Sequence, residues 1–310
     1  MARSAGAKVG RLRHLIEFMN NALLGGVEAG GTKMVCAVAR EPGDILDEVR
    51  FPTTDSENTL ERVREYFAQA QDQFGELGAI GYGTFGPAGV TPEAPEYGTI
   101  LPTPKPGWQG ADVVGFLKDS FPNALISFDT DVNAAAIGEG FAGAAQGLKN
   151  YVYITVGTGI GGGVVIDGKA LNAKPHAEIG HMLVPRLDDF EGCCSFHGAC
   201  LEGLASGSAM GARWGVPAPE LGPGHEAWDL EAEYLAMMVQ NLVACFAPDR
   251  IILGGGVMEQ PFLLEMVREK YYAKTGGYWP NDDSLLVTPA MGNQAGITGA
   301  LVMAREVLSS

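Results

Sequence analysis

Tyr151-Val152-Tyr153-Ile154-Thr155-Val156-Gly157-Thr158-Gly159-Ile160-Gly161-Gly162-Gly163-Val164-Val165-Ile166 is the stretch that decides the fold. A β-branched and aromatic run enters a glycine turn. A second β-branched run leaves it and ends at Asp167-Gly168, a hairpin-turn dipeptide. Gly157, Gly159 and Gly162 match the G-x-G-x-x-G spacing of dinucleotide-binding proteins, but that fingerprint needs a helix directly after the glycines. Here a strand follows, so the stretch reads as strand, glycine turn, strand. A turn without Cβ atoms lets the backbone approach an anion closely, and successive N–H groups form a concave nest. Gly157, Thr158 and Gly159 are therefore candidate phosphate ligands. The competing reading is a plain tight hairpin.

The pattern recurs near the start of the chain. Gly25-Gly26-Val27-Glu28-Ala29-Gly30-Gly31-Thr32-Lys33 runs straight into the apolar strand Met34-Val35-Cys36-Ala37-Val38. The glycines come close to a P-loop, but the Thr-Lys pair is reversed and again no helix follows. Gly30, Gly31, Thr32 and Lys33 form a second phosphate candidate. Two such hairpins, each opening an α/β segment, point to a nucleotide held between lobes. A third cluster, Gly254-Gly255-Gly256, ends the strand Arg250–Leu253 and precedes a helix expected from Pro261 to Tyr272, a setting suited to the ribose and phosphates of a nucleotide. A fourth, Gly292 to Gly296, opens a C-terminal helix expected to reach about Leu308.

Between the hairpins, Ala124–Phe128 reads as a strand, followed by Asp129-Thr130-Asp131-Val132-Asn133 and a helix from Ala134. Ligands of α/β sheets collect at the carboxyl ends of strands, which suits Asp131 to chemistry. A helix cap is the equal alternative, and Asp129 or Asn133 would fill that role as well.

Cys194-x-x-His197-x-x-Cys200, with His181 upstream, offers two thiolates and two imidazoles, the ligand set of a closed structural zinc site. Nucleic-acid zinc fingers group two cysteines and then two histidines, and this spacing does not. Cys193 has no partner in the pattern. The ion would hold Glu178 and Glu202, neighbours of its ligands, in one small region where carboxylates accept hydrogen bonds from sugar hydroxyls. The phosphate hairpins are remote in sequence from this segment. Metal loss is accordingly expected to weaken sugar binding more than ATP binding, and a valine at Gly159 to weaken ATP binding far more than sugar binding.

The 310 residues carry a formal net charge of −16, which disfavours nucleic acid and anionic lipid as partners. No apolar run approaches the length needed to cross a bilayer. Cysteines clustered with histidine suit metal in a reducing cytoplasm rather than a disulfide framework. Residues 1–20 are basic and lack the apolar core of a secretion signal, and they read as an extension ahead of the fold.

Taken together, Glu28-Ala29-Gly30-Gly31-Thr32-Lys33, Asp129-Thr130-Asp131-Val132-Asn133-Ala134-Ala135, Gly157 to Gly163, Glu178-Ile179-Gly180-His181 and Cys194 to Glu202, in this order, resemble the ROK family of sugar kinases. The likeness runs from about Leu24 to Val307. The C-x-x-H-x-x-C-x-E cluster and Thr103-Pro104-Lys105-Pro106-Gly107-Trp108 look most like its bacterial fructokinase branch. The resemblance implies an α/β, actin-like ATPase (ribonuclease H-like) fold of two lobes with ATP and sugar in a central cleft. Residues 21–128 would form a smaller lobe completed by the helix at about 295–308, and 129–294 a larger lobe carrying the zinc segment 176–202. It implies Asp131 as catalytic base, and Gly89, Thr103, Asp131, Glu178, His181 and Glu202 around the sugar. Magnesium would accompany ATP, zinc would be structural, and two chains would pair near the zinc segment. The expected reaction is conversion of D-fructose to D-fructose 6-phosphate in the cytoplasm. A kinase for mannose or glucose and a non-catalytic sugar sensor are the alternatives. The residues ahead of Gly25 are too few for the helix-turn-helix of the family's repressors. Glu28 stands where many members have Asp, and Thr130 where many have Asn.

Overall fold

The structure is a computed structural model that describes residues 22–172, 176–279 and 281–310. The expected extension over 1–20 lies outside the described residues. Two compact units result: one ends at Gly138 and resumes at Gly296, the other spans Glu139–Ala295.

In the first unit, β1 (Leu23–Ala29), β2 (Lys33–Ala39) and β3 (Ile45–Pro52) form an antiparallel meander. Alternation along β1 and β2 sorts their side chains to two faces. Leu23, Val27, Met34, Cys36 and Val38 join one core, and Leu24, Val35, Ala37 and Ala39 another. α1 (Ser56–Phe74), capped by Asp55, buries Leu60, Val63, Phe67 and Ala70, the i, i+3, i+7, i+10 stripe of an amphipathic helix. Phe67 reaches the sheet over Gly25, where a Cβ would stand 2.9 Å from the ring. β4 (Leu77–Thr84) pairs with β1 in parallel; α2 (Val113–Ser120) follows, and β5 (Leu125–Thr130) pairs with β4 in parallel. The sheet order is β3-β2-β1-β4-β5. All three parallel strands end at the same edge, with Glu28, Thr84 and Asp131 at or next to their last residues.

α3 (Asp131–Ala142) starts directly after β5, earlier than the Ala134 start expected. Its first turns belong to the first unit because Gly83 of β4 lets Ala134 approach, a Cβ there lying 2.7 Å from the Ala134 Cβ.

The second unit repeats the design. β6 (Tyr151–Val156), β7 (Ile160–Ile166) and the short β8 (Lys169–Ala170) are antiparallel. The chain then runs through α4 (Leu201–Ala205), α5 (Gly207–Trp214) and the long α6 (Ala227–Phe246). β9 (Arg250–Gly254) lies parallel to β6, a 3₁₀ turn covers Gly256–Glu259, α7 runs Leu263–Thr275, and β10 (Leu286–Val287) pairs with β9 in parallel. The order β8-β7-β6-β9-β10 matches β3-β2-β1-β4-β5 strand for strand. One buried cluster built on Val152, Ile154, Leu235, Val239, Ile251 and Leu253 fills this unit. The chain returns to the first unit as α8 (Ala295–Ser309), whose Ile297, Leu301 and Ala304 cover the second face of the first sheet. Both glycine hairpins are thus the first hairpin of their sheet, as their strand–turn–strand pattern leads one to expect.

Candidate active site

Asp131 is the first residue of α3 and is partly exposed. The cap of that helix is Thr130, whose Oγ1 accepts the Asn133 N–H at 3.2 Å. Asp129, 5% exposed, accepts the Thr130 N–H at 2.7 Å and the Asn133 side-chain amide at 2.8 Å. Asp131 Oδ1 accepts the Val132 N–H at 2.8 Å. Capping is therefore carried by Thr130, and the alternative role for Asp131 is filled by another residue.

The first glycine turn is held from the sheet side. Gly30 N–H donates to the Lys33 carbonyl at 3.0 Å, Thr53 Oγ1 donates to the Gly30 carbonyl at 2.7 Å, and Thr53 N–H to the Thr32 carbonyl at 3.0 Å. A Cβ at Gly31 would meet nothing within 4 Å, so the tip is open. Glu28, the last but one residue of β1, faces the N-terminus of α8. Gly296 leaves it room, since a Cβ there would lie 2.7 Å from the carboxyl carbon. Burial pushes the Glu28 carboxyl up, against the pull of Lys33 and Arg50. The carboxyl accepts a hydrogen bond from the Ile297 backbone, and its Oε2 is buried with no hydrogen-bond partner among the described residues, an orphan acceptor of the kind a hydrated cation satisfies. Gly89 has a packing role: a Cβ would fall 2.0 Å from the Glu96 carbonyl oxygen. Thr103 is half-buried, its hydroxyl accepting the Lys105 N–H at 3.3 Å.

In the second unit the four Cys/His residues converge, with one ligand atom from each of His181, Cys194, His197 and Cys200 lying within 4.8 Å of all the others. His181 Nδ1 is 3.4 Å from Cys200 Sγ and 3.7 Å from Cys194 Sγ, and His197 Nδ1 is 3.8 Å from Cys194 Sγ. Tetrahedral edges built from ordinary Zn–S and Zn–N bonds are about 3.5 Å, so the donor set fits one such ion. Burial pushes the Cys200 thiol up to about 11, and the adjacent Cys194 thiol adds to the rise. A cation held at this site would favour the thiolate form of its cysteine ligands. The loop closes on itself through Gly198 N–H to the Cys194 carbonyl at 2.9 Å. Cys193 is exposed and outside the cluster.

This segment grips the second glycine turn. Cys200 caps α4, and Glu202 in its first turn accepts the Ile160 N–H at 3.0 Å. Gly207 N–H donates to the Gly157 carbonyl at 2.7 Å. Gly180, inside the Glu178–His181 motif, presses on the other side of the same residue, where a Cβ would sit 1.9 Å from the Ile160 carbonyl oxygen. At Gly159 a Cβ would lie 2.5 Å from Glu202 Oε2, whereas Gly157 has nothing within 4 Å. Although remote in sequence, the Cys/His segment and the second glycine turn are thus bonded to each other. Nothing in residue spacing marks a hydrogen bond between positions 160 and 202. Sequence reading also missed His176, 7% exposed, whose Nε2 lies 3.5 Å from Glu178 Oε1 and orients that exposed carboxylate. In the third glycine cluster, Gly255 (φ +93°) packs against the Val156 backbone and Gly254 against Pro289, leaving Gly256 open.

Asp131, Glu28, Gly30–Lys33, Gly89 and Thr103 thus belong to the first unit, and Gly157–Gly159, Gly254–Gly256, Glu178, Glu202 and the Cys/His cluster to the second. Two strand–glycine turn–strand hairpins, an acid at a strand end and a Cys/His cluster leading into an acid are the features expected of a phosphotransferase of the ROK type. The chain belongs to the ROK family, whose profile matches residues 24–307. Over 292 residues it is 44% identical to a fructokinase of Pediococcus pentosaceus, covering 93% of this chain and 99% of that one. A ROK hexokinase of Thermus thermophilus superposes with TM-score 0.76 at 30% identity, over 91% of this chain and 97% of the other. A ROK glucokinase of Streptomyces griseus, solved with glucose and AMPPNP, gives 0.73 at 25% identity, over 92% and 100%. The fold is accordingly that of the ROK sugar kinases, the actin-like ATPase arrangement with two mixed sheets. No described helix is long and apolar enough to cross a membrane.

Proposed function

We propose that this chain is an ATP-dependent fructokinase that makes D-fructose 6-phosphate. The observation that carries the acceptor is the 44% identity to a fructokinase over nearly the whole length of both chains, against 30% and 25% for the hexokinase and glucokinase. Asp131 takes the proton of the 6-hydroxyl as its oxygen attacks the terminal phosphorus. The new O–P bond forms, the bond from phosphorus to the bridging oxygen breaks, and ADP leaves with that electron pair. The place of Asp131 directly after the carboxyl end of β5 supports this role. Because the transition state is loose, most of the rate comes from positioning and charge. Backbone N–H groups at Gly30–Lys33, Gly157–Gly159 and the open Gly256 bind phosphates and ribose. Gly89, Thr103, Glu178, His181 and Glu202 surround the sugar, with His176 setting the Glu178 carboxylate. Glu28 would hold hydrated magnesium through its orphan oxygen. Magnesium, when bound with ATP, neutralises phosphate charge. The Cys/His cluster would take one zinc ion as a structural clamp. Leu183 and Phe196, 78% and 64% exposed beside that cluster, support pairing of two chains there. A reducing cytoplasm suits the free thiols.

A coupled assay of ADP release with fructose, mannose and glucose tests the reading. Fructose is expected to give the highest kcat/KM. A higher value on glucose or mannose would reassign the acceptor, and ATP-independent sugar binding with no turnover on any hexose would leave a sugar sensor.

A further inference from the structure

Lys105 has no role in the mechanism above. Its ammonium donates to the Gly31 carbonyl, at the open tip of the first glycine turn, and to the Thr53 carbonyl at 3.3 Å. Both acceptors are backbone oxygens carrying only partial charge. The arm that presents the ammonium is stiff. Pro104 and Pro106 flank it and fix their own φ angles. Trp108 is fully buried against Phe85 and donates its indole N–H to the Thr54 carbonyl at 2.6 Å. Gly107 (φ +75°) passes so close to Asp55 that a Cβ would stand 2.9 Å from it, and its carbonyl accepts the Ser56 N–H at 3.2 Å. The residue therefore joins two places. Its main-chain N–H bonds the Thr103 hydroxyl, and its side chain bonds the tip of the phosphate turn.

We propose that Lys105 is a catalytic cation that binds the transferring phosphoryl group. The inference rests on the kinase reading. If Gly31 lies at phosphate and Thr103 at sugar, the group passing between them is the terminal phosphoryl, and the Lys105 ammonium stands on its path. A phosphate oxygen is a better partner than a carbonyl, since it carries a formal negative charge and adds direct Coulombic attraction to the ammonium. Exchange of the Gly31 carbonyl for the phosphoryl oxygens places a full positive charge where negative charge spreads in the transition state. Lys105 stays protonated throughout, and the hydroxyl proton still goes to Asp131.

Two variants separate this role from fastening of the turn. Lys105→Met removes both charge and donor, whereas Lys105→Gln removes the charge and keeps a donor for the Gly31 carbonyl. Calorimetric titration with Mg-ADP and with the Mg complex of the β,γ-imido analogue of ATP reads binding without turnover. Both variants are expected to bind ADP within about twofold of the native protein and the triphosphate analogue roughly 10- to 100-fold more weakly, the worth of a hydrogen bond to a charged group. Their kcat falls by at least the same factor. The proposal is overturned if Gln behaves as the native residue while Met weakens both nucleotides alike, or if neither variant changes triphosphate binding or kcat. Failure of the kinase reading looks different: the native protein itself would bind neither nucleotide.

Discussion

Gly159→Ala is the sharpest probe of the link between the metal segment and the second glycine turn. The added methyl would stand 2.5 Å from Glu202 Oε2, a distance no real contact tolerates, so the carboxylate must move. Moving it weakens the 3.0 Å bond from the Ile160 N–H. A hydrogen bond to a charged group contributes about 1.5–3 kcal/mol, which is roughly 10- to 150-fold in affinity. That loss falls on two ligands at once, because Glu202 is the proposed sugar acid and the Ile160 amide follows directly on the proposed phosphate turn. The KM values for both fructose and ATP are expected to rise together, by up to about tenfold each. Gly157→Ala is the control. Its Cβ has open space and its φ is not left-handed, so folding and fructose KM stay as they are and only the ATP KM rises. Steady-state kinetics with each substrate varied in turn, alongside thermal unfolding of both variants, make the comparison. A Gly159→Ala protein with a raised ATP KM and an unchanged fructose KM would refute the coupling and restore the independence expected from sequence.

Asp131→Asn should lower kcat by roughly a hundred- to ten-thousand-fold, as loss of a general base does, with the melting temperature unchanged because Thr130 keeps the helix cap; a stability loss with near-normal turnover would make the residue structural. Cys200→Ser, or removal of metal by a chelator, should reduce bound zinc measured by elemental analysis and raise the KM of both substrates, while Cys193→Ser changes neither; a shift confined to fructose would contradict the bonded path through Ile160. Glu231→Leu should stabilise the protein at neutral pH by about 1–3 kcal/mol, since both buried carboxyl oxygens lack partners among the described residues. Burial raises that carboxyl well above its ordinary range, so the cost of ionising it in the fold is absent below the unfolded carboxylate range and grows as pH rises through it. The melting-temperature gain should therefore shrink on acidification, and Arg213 keeps its 3.0 Å ion pair with Asp188 in the variant; a lower melting temperature at neutral pH would show that Arg213 needs Glu231.

The hairpins and the Cys/His cluster were legible because their information is local. Alternating β-branched residues around a glycine turn specify strand, turn and strand within a few positions, and the three downstream ligands lie between Cys194 and Cys200. The cap of α3 was also within reach, since Thr130 followed three residues later by Asn133 is an ordinary N-cap spacing, although the acids on either side drew the eye first. What pattern could not reveal is contact across long separations. Ile160 with Glu202, Lys105 with Gly31 and Glu28 with Gly296 all join segments far apart in the chain.

The glycines show most plainly how composition and contact divide the work. In sequence, each cluster offers itself whole as a phosphate cradle. In the fold, Gly180 and Gly255 are glycine because backbone lies where their Cβ would be, a need that exists with no ligand bound. Gly31, Gly157 and Gly256 have no such neighbour. None of these three has a left-handed φ, so neither crowding nor backbone strain accounts for the missing side chain. Close approach of the proposed nucleotide to the main chain would account for it, at one position in each of the three clusters. The packed glycines therefore hold the turns in shape, and under the proposed function the open ones are where the nucleotide would meet them.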